Sequence, residues 1–327
     1  MLSYHSIGQL NLEEIMNLNT FLNNPKYIKV KNIKQINQYG ESVNLAVAKY
    51  KRNVFFDNLW DSYPETKKAR GSVFDAVTGR QIVFPMDKCF NYLENGAGIA
   101  LRDDQEVSIF KKLNGFMVNL TYNSLYGWIV STTGDAVILG NETTNKYLAW
   151  ACEAITDDVK ARYHAIASKS SKWLGRSYTL TYELCHPEDP HIVDEEFGLH
   201  LLCLQAEGDV HVPLDGMKVN MQKMAFVQLK ELLANVQHEG FMVYSGDRLL
   251  FKMKSPYYLA KKWIQRRNGD LLWSPLYKER MDEEYYPIVQ RIREAYSKDY
   301  WDGLTETEKS GIFLWAYKDI FMGEKPK

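Results

Sequence analysis

The chain has 327 residues, 45% of them hydrophobic and 25% charged, which fits a folded protein with a sizeable core and excludes a disordered or low-complexity chain. Its 40 basic and 41 acidic residues give a formal net charge of −1, so there is no global basic field and any nucleic acid must be met by a local patch. No apolar run reaches membrane-spanning length, and Met1-Leu2-Ser3-Tyr4-His5 lacks a basic-then-apolar signal pattern, so a cytoplasmic protein without a membrane partner is expected.

Leu10, Ile15, Leu18 and Leu22 predict a short helix over 10–22. Asn44 to Ala48 and Val54 to Phe56 are strand candidates, and Trp60 to Lys68, with Pro64, is expected as a loop. Gly71 to Val77 and Gln81 to Pro85 predict a hairpin turning at Thr78-Gly79-Arg80. A second hairpin is expected from Phe116 to Leu120 and Gly127 to Ser131, followed by one helix from Asn145 to Ser168. Strands follow at Tyr178 to Leu184 and Leu199 to Gln205, then a helix from Lys218 to Val236. Phe241 to Tyr244 and Leu249 to Met253 flank the turn Ser245-Gly246-Asp247. Beyond Lys254 every predicted element is helical: Tyr257 to Arg267, Asp282 to Ser297, with Ile288, Ile292 and Tyr296 on one face, and Glu306 to Met322. The sequence is therefore α+β with antiparallel hairpins, closed by an all-helical tail.

Several segments carry chemistry. Lys112-Leu113-Asn114-Gly115 sets a lysine beside a glycine at the start of a strand-like run, where an amine can attack a phosphate and the glycine permits close approach. An attacking amine must be neutral, and a free lysine has a pKa of about 10.4, so burial or nearby cations are expected to lower it. Lys252 and Lys254 in Phe251-Lys252-Met253-Lys254 lie two apart on a strand and point the same way, suited to a triphosphate and to lowering the Lys112 pKa. Glu183 stands on an apolar strand and Glu239 heads another; two carboxylates suit a hydrated Mg²⁺ or Mn²⁺ ion or a ribose hydroxyl. Arg70 offers bidentate contacts to phosphate, Lys88 a point charge, and Phe90 a ring that can stack on a base. Taken alone, the lysine pair reads more readily as a solvated strand face and each carboxylate as a strand-end acid, and Lys88 and Phe90 could be a surface charge and a core aromatic.

In chain order the segments are Ala69-Arg70-Gly71, Pro85-Met86-Asp87-Lys88-Cys89-Phe90-Asn91, Lys112-Leu113-Asn114-Gly115, Tyr182-Glu183, Glu239-Gly240-Phe241-Met242-Val243 and Phe251-Lys252-Met253-Lys254. This succession resembles the covalent nucleotidyltransferase superfamily of ligases and capping enzymes, and within it the phage T4 RNA ligase 1 family, over roughly residues 45 to 262. The resemblance implies the nucleotidyltransferase (ligase) fold, antiparallel sheets flanked by helices, over 1–262, with an N-terminal extension to about 40 and a small helical domain over 263–327. It implies an ATP-dependent RNA ligase: Lys112 takes AMP from ATP, passes it to an RNA 5′-phosphate, and a 3′-hydroxyl displaces it, in RNA or tRNA repair. Lys112, Glu239, Lys252 and Lys254 are then catalytic. Arg70, Lys88, Phe90, Asn114, Gly115 and Glu183 hold the nucleotide, and Asn114, Glu183 and Glu239 hold Mg²⁺ or Mn²⁺ through water. The implied partners are single-stranded RNA ends, including cleaved tRNA, with no obligate protein partner. A guanylyltransferase using GTP, or a nucleotide- or RNA-binding protein without ligation, stays open.

Three positions depart from the family pattern. Asn114 replaces the usual aspartate, keeping an acceptor oxygen and losing the charge. Val130 to Gly134 offers hydroxyls where the family has a basic residue, and His191 stands where arginine is common. Cys89, Cys152, Cys185 and Cys203 lack CxxC spacing, and Cys185-His186 with His191 has no second cysteine pair, which disfavours zinc and a disulfide scaffold. For RNA, Lys261, Lys262, Arg266 and Arg267 beside Tyr257, Tyr258 and Trp263 form one basic and aromatic cluster, and Lys67, Lys68 and Arg70 another.

Overall fold

The computed structural model describes residues 17–168, 177–189, 191–206, 210–213, 221–265 and 268–323. Among the described residues, fourteen strands form three antiparallel sheets. The first has the order β1 (Ile28–Ile36), β2 (Ser42–Tyr50), β3 (Arg70–Asp75), β4 (Gln81–Val83). In β2 the period-2 pattern sends Leu45 and Val47 to one face and Ala46 and Ala48 to the other, and all are buried. The alanine face is covered by the short helix α1 (Leu18–Leu22) through Leu18 and Phe21. The other face packs Leu45, Val47 and Val73 on Ile129 and Ile138 of the second sheet.

That second sheet runs β11 (Val210–Pro213), β10 (Gly198–Ala206), β9 (Tyr178–Cys185), β6 (Phe116–Asn123), β7 (Gly127–Ser131), β8 (Ala136–Ile138). Val118, Leu120, Leu180 and Tyr182 alternate onto one face, beneath Leu148, Ala151, Ile155 and Tyr163. The third sheet runs β12 (Gln222–Ala225), β5 (Glu106–Lys111), β13 (Gly240–Ser245), β14 (Arg248–Lys254). Phe226, Leu229 and Leu233 of the helix Phe226–Asn235 cover it, one turn apart on a single stripe. Truncating such a leucine to alanine costs about 2–5 kcal/mol.

The helical tail has its own core, in which Ile288, Val289 and Ile292 of the helix Tyr286–Ala295 meet Phe313, Ala316 and Tyr317 of the helix Glu306–Phe321. The helix Pro256–Gln265 joins that core through Tyr258, Leu259 and Trp263. The helix Glu306–Phe321 begins with a capping box, Thr305 and Glu308 each bonding the other's backbone N–H. No helix among the described residues is long and apolar enough to cross a membrane.

Some expectations need correction. Val54 to Phe56 is one helical turn, Asn53–Phe56, closed by the Asp57 N–H on the Asn53 carbonyl, because no neighbouring strand is there to pair with it. The helix expected over Asn145 to Ser168 is two, Lys146–Ala154 and Asp157–Ser168, broken at Ile155 in a non-helical conformation. The helix expected from Lys218 begins at Phe226, since Gln222–Ala225 pairs with β5. Trp60 to Lys68 contains a 3-10 turn at Pro64–Lys67. Strands β1, β5, β8 and β11 had no prediction. The first part of the 10–22 helix, and Arg266 and Arg267, lie outside the described residues.

Candidate active site

Lys112 follows β5 directly, and its backbone N–H donates to the Gly240 carbonyl at 2.8 Å, fixing it where the second and third sheets meet. Glu183 comes from β9, Glu239 from the residue before β13, and Lys252 from β14. A cavity of about 260 Å³ opens between Lys112, Glu183 and Lys252, with Glu239 behind Lys112. Arg70, Lys112, Glu183 and Lys252 line it with charge, and Phe110, Phe116, Met117 and Met242 line it with apolar surface. Charged groups converging on an otherwise apolar cavity are the usual form of a ligand site.

The Lys112 ammonium donates to Glu239 Oε2 at 2.9 Å and to the Leu113 carbonyl at 3.0 Å. Burial works against its charge, but Glu239 and Glu183 outweigh burial and hold its pKa above the ordinary lysine value. The expectation that Lys252 and Lys254 lower it is therefore not met. Lys254 does act downward on it, as expected, but Glu239 and Glu183 act more strongly, and Lys254 is itself paired with Glu239 Oε1 at 3.3 Å and Glu284 Oε1 at 2.9 Å. The depressed amine is Lys252 instead. Burial, with Lys88 and Lys254 nearby, brings it down to about 8, and it makes no ion pair among the described residues.

Glu239 is buried, and burial opposes its charge, yet Lys112 and Lys254 keep its carboxyl below the usual range. Glu183 has the opposite balance: burial pushes its pKa up despite Lys112. Its Oε1 accepts the Gly115 N–H at 3.1 Å. A Cβ on Gly115 would stand 2.3 Å from the Leu184 carbonyl, so the space glycine provides at this position is filled by strand β9. At Gly71, with φ +93°, a Cβ would stand 2.0 Å from the Thr132 carbonyl, which brings the Val130 to Gly134 hairpin against Arg70. Arg70 donates to the carbonyls of Met86 at 3.3 Å and Asp87 at 2.9 Å, while its Nε, also buried, has no hydrogen-bond partner among the described residues.

Asn114 is fully engaged. Its amide donates to Glu239 Oε2 at 3.3 Å and to the Tyr258 hydroxyl at 3.3 Å, and its Oδ1 accepts the Ile192 N–H at 3.1 Å. Aspartate has no N–H to offer Glu239, so asparagine suits this hydrogen-bond pattern. His191 lies 2.6 Å from the Asn114 carbonyl and 2.7 Å from the His186 carbonyl, and steadies the loop.

Phe90 and Lys88 sit outside this cavity. Phe90 packs edge-on against Trp60, with ring centroids 5.5 Å apart, and lines a separate groove with Asp87 and Arg248. Lys88 is held by Glu283 at 2.9 Å and Glu94 at 3.2 Å. The cluster read as a basic patch at 261–267 is divided. Lys262 is buried on Asp282 and Glu284, both at 2.7 Å, and Trp263 belongs to the tail core, because the helix turns this face inward. Lys261 lies over the exposed Tyr257 ring.

Sequence reasoning missed Glu283 and Glu284. They belong to a one-turn 3-10 segment, Glu283–Tyr285, beyond the span of the family resemblance. Together with Lys252, Lys254 and Glu94 they line a second cavity, of about 200 Å³. Lys252 lines both cavities.

The comparisons bear on what this arrangement is for. An RNA ligase family model, of the T4 RNA ligase 1 type, matches residues 68–228. Over this span, about half of the chain, the protein is similar to the RNA ligase family. The matched residues include Arg70, Lys88, Lys112, Asn114 and Glu183. Among solved structures it is similar to an archaeal ATP-dependent RNA ligase in two forms. The first has 13% identity and a TM-score of 0.49, covering 90% of this chain and 77% of that one. The second has 11% identity and a TM-score of 0.49, covering 89% and 74%. A Naegleria gruberi RNA ligase with pyrophosphate has 14% identity and a TM-score of 0.37, covering 55% of this chain and 59% of that one. No curated protein matches.

Proposed function

We propose that the chain seals RNA 5′-phosphate and 3′-hydroxyl ends with ATP through a Lys112–AMP phosphoramidate, as in repair of single-stranded breaks such as those in cleaved tRNA. The observation that carries this is the placement of Lys112, between Glu239 and Glu183, at the wall of a cavity lined also by Arg70, Lys252 and apolar side chains. In the first step Lys112 Nζ bonds to the α-phosphorus, the bond to the pyrophosphate oxygen breaks, and the amine's proton passes to Glu239 Oε2, its nearest carboxylate. In the second step an RNA 5′-phosphate oxygen displaces lysine, and in the third a 3′-hydroxyl displaces AMP. These are phosphoryl transfers, so positioning and charge supply most of the rate.

The apolar walls suit the base, and Arg70, whose Nε has no hydrogen-bond partner among the described residues, and Lys252 suit phosphate oxygens. Glu183, held by the Gly115 N–H, suits a ribose hydroxyl. For a divalent ion, Glu183 and Glu239 are the available carboxylates, and among the described residues no group of three or more His, Cys, Asp or Glu side chains is arranged to hold a metal. That donor set fits a hydrated Mg²⁺ or Mn²⁺ ion, held by Glu183, Glu239 and Asn114 through water and by the nucleotide's own phosphates. Such an ion neutralises charge on the phosphates. We place the adenylyltransferase part over 1–262 and the helical part over 263–327, with the division inside the helix Pro256–Gln265.

The test is transfer of label from α-³²P ATP to the protein in Mg²⁺, followed by 5′-phosphorylated RNA. A labelled protein band and circular or joined RNA are expected. Label from GTP alone, or nucleotide bound without label transfer, would overturn this reading in favour of capping or binding.

A further inference from the structure

We infer that Glu283 and Glu284 of the helical tail stand in for the departing pyrophosphate, occupying its lysines after it leaves and so protecting the adenylated enzyme from reversal. This rests on the Lys112–AMP reading above. Glu284 binds Lys254 at 2.9 Å and Lys262 at 2.7 Å, and Glu283 binds Lys88 at 2.9 Å. All three lysine side chains are at least nine-tenths buried, so these contacts act where screening by water is weak. Two adjacent residues thus deliver two carboxylates to three lysines.

The position matters as much as the charge. Lys252 borders both the cavity at Lys112 and the cavity at Glu283 and Glu284. A pyrophosphate leaving the α-phosphorus passes Lys252 and meets Lys254 and Lys88 next, and the acid pair competes with it for them. Reversal requires a pyrophosphate oxygen to attack the α-phosphorus of Lys112–AMP. The phosphorus–nitrogen bond then breaks, a proton returns to Lys112 Nζ, and ATP forms. With Glu283 and Glu284 in place, pyrophosphate must first displace them. Burial opposes the charge on both acids, but Lys88 holds Glu283 down at about 2, and Lys254 and Lys262 hold Glu284 well below the usual carboxylate range, so both compete as full anions at neutral pH.

The experiment titrates purified adenylated protein with inorganic pyrophosphate and Mg²⁺ and follows loss of AMP. Glu284→Gln is expected to lower the midpoint about tenfold, the equivalent of about 1.4 kcal/mol, and Glu283→Gln to lower it less. A purely structural role predicts lower thermal stability with an unchanged midpoint, and a midpoint within twofold of wild type in a folded Glu284→Gln protein overturns the inference. The wild-type protein supplies an independent readout. Pyrophosphate binding to the unmodified protein is expected to speed amide exchange over 282–286, and binding that leaves those amides unchanged overturns the inference. If wild type takes no AMP from ATP, the Lys112–AMP reading fails. Calorimetry of pyrophosphate with the unmodified proteins then decides this one, through tighter binding to Glu284→Gln or none.

Discussion

The two cavities that share Lys252 differ in what their lysines face. Beneath the helical tail each of Lys88, Lys254 and Lys262 has two carboxylate partners, and each pKa is raised although burial opposes the charge. On the Lys112 side, Lys252 has no ion pair among the described residues, and burial brings its pKa down to about 8. Lys252 and Lys254 are two residues apart on one strand, so secondary structure alone does not separate them. Partner carboxylates do: a buried lysine with an acid stays charged and closed, and one without an acid keeps its capacity for an anionic ligand.

The largest expected effect is at Lys112. Lys112→Ala removes the attacking amine, and label transfer is expected to fall by at least about 10⁴. Residual transfer within tenfold of wild type would place the nucleophile elsewhere. Next is Lys254→Met, which leaves Glu284 and Glu239 with one cation fewer each. Chemical denaturation is expected to show a loss of about 3–5 kcal/mol, and label transfer a loss of about 10² or more.

Lys252→Met sharpens the comparison because it moves in the opposite direction. Its folded pKa, about 8, lies below that of an exposed lysine, so keeping it charged at pH 7 costs the fold stability. Removing it is expected to raise stability by about 1–3 kcal/mol while raising the ATP concentration for half-saturation at least about tenfold. In the wild type the same lysine sets a pH limit. Below pH 8 it is a cation for phosphate, and as pH rises through about 8 that charge is lost and half-saturation by ATP rises. The maximal rate climbs over the same range, because Lys112, whose pKa is raised, is increasingly deprotonated. Both are measured as adenylation against ATP from pH 6.5 to 9.5. The smallest expected effect is Asn114→Asp, which replaces an N–H donated to Glu239 with a second negative charge. A fall of about tenfold or less in transfer rate is expected, with the Lys112–Glu239 pair weakened.

The strands carrying the site were legible because their apolar runs are short, alternate and are bounded by glycine: β3, β6, β9, β13 and β14 all coincide with predicted strands. Strand β1 was not, because its alternation, Ile28-Lys29-Val30-Lys31, slips at Asn32-Ile33 on a sheet-edge strand rich in lysine. Most of the charged site was visible as residue types in order, but not how the charges pair. Whether Lys254 helps Lys112 or closes on Glu284 depends on the tail folding back over β14, a contact between residues 30 apart with no local signature. The same contact hid the role of Glu283 and Glu284 and made a buried Lys262 look like part of an RNA-binding patch.

The central claim is that Lys112 carries the adenylate. Intact-mass measurement after incubation with ATP and Mg²⁺, followed by peptide mapping under conditions that preserve phosphoramidates, tests it most directly. The account predicts one added AMP on the peptide containing Lys112, removed by pyrophosphate. An AMP mapped to any other lysine, or a protein that joins RNA with no adduct at any time, contradicts it.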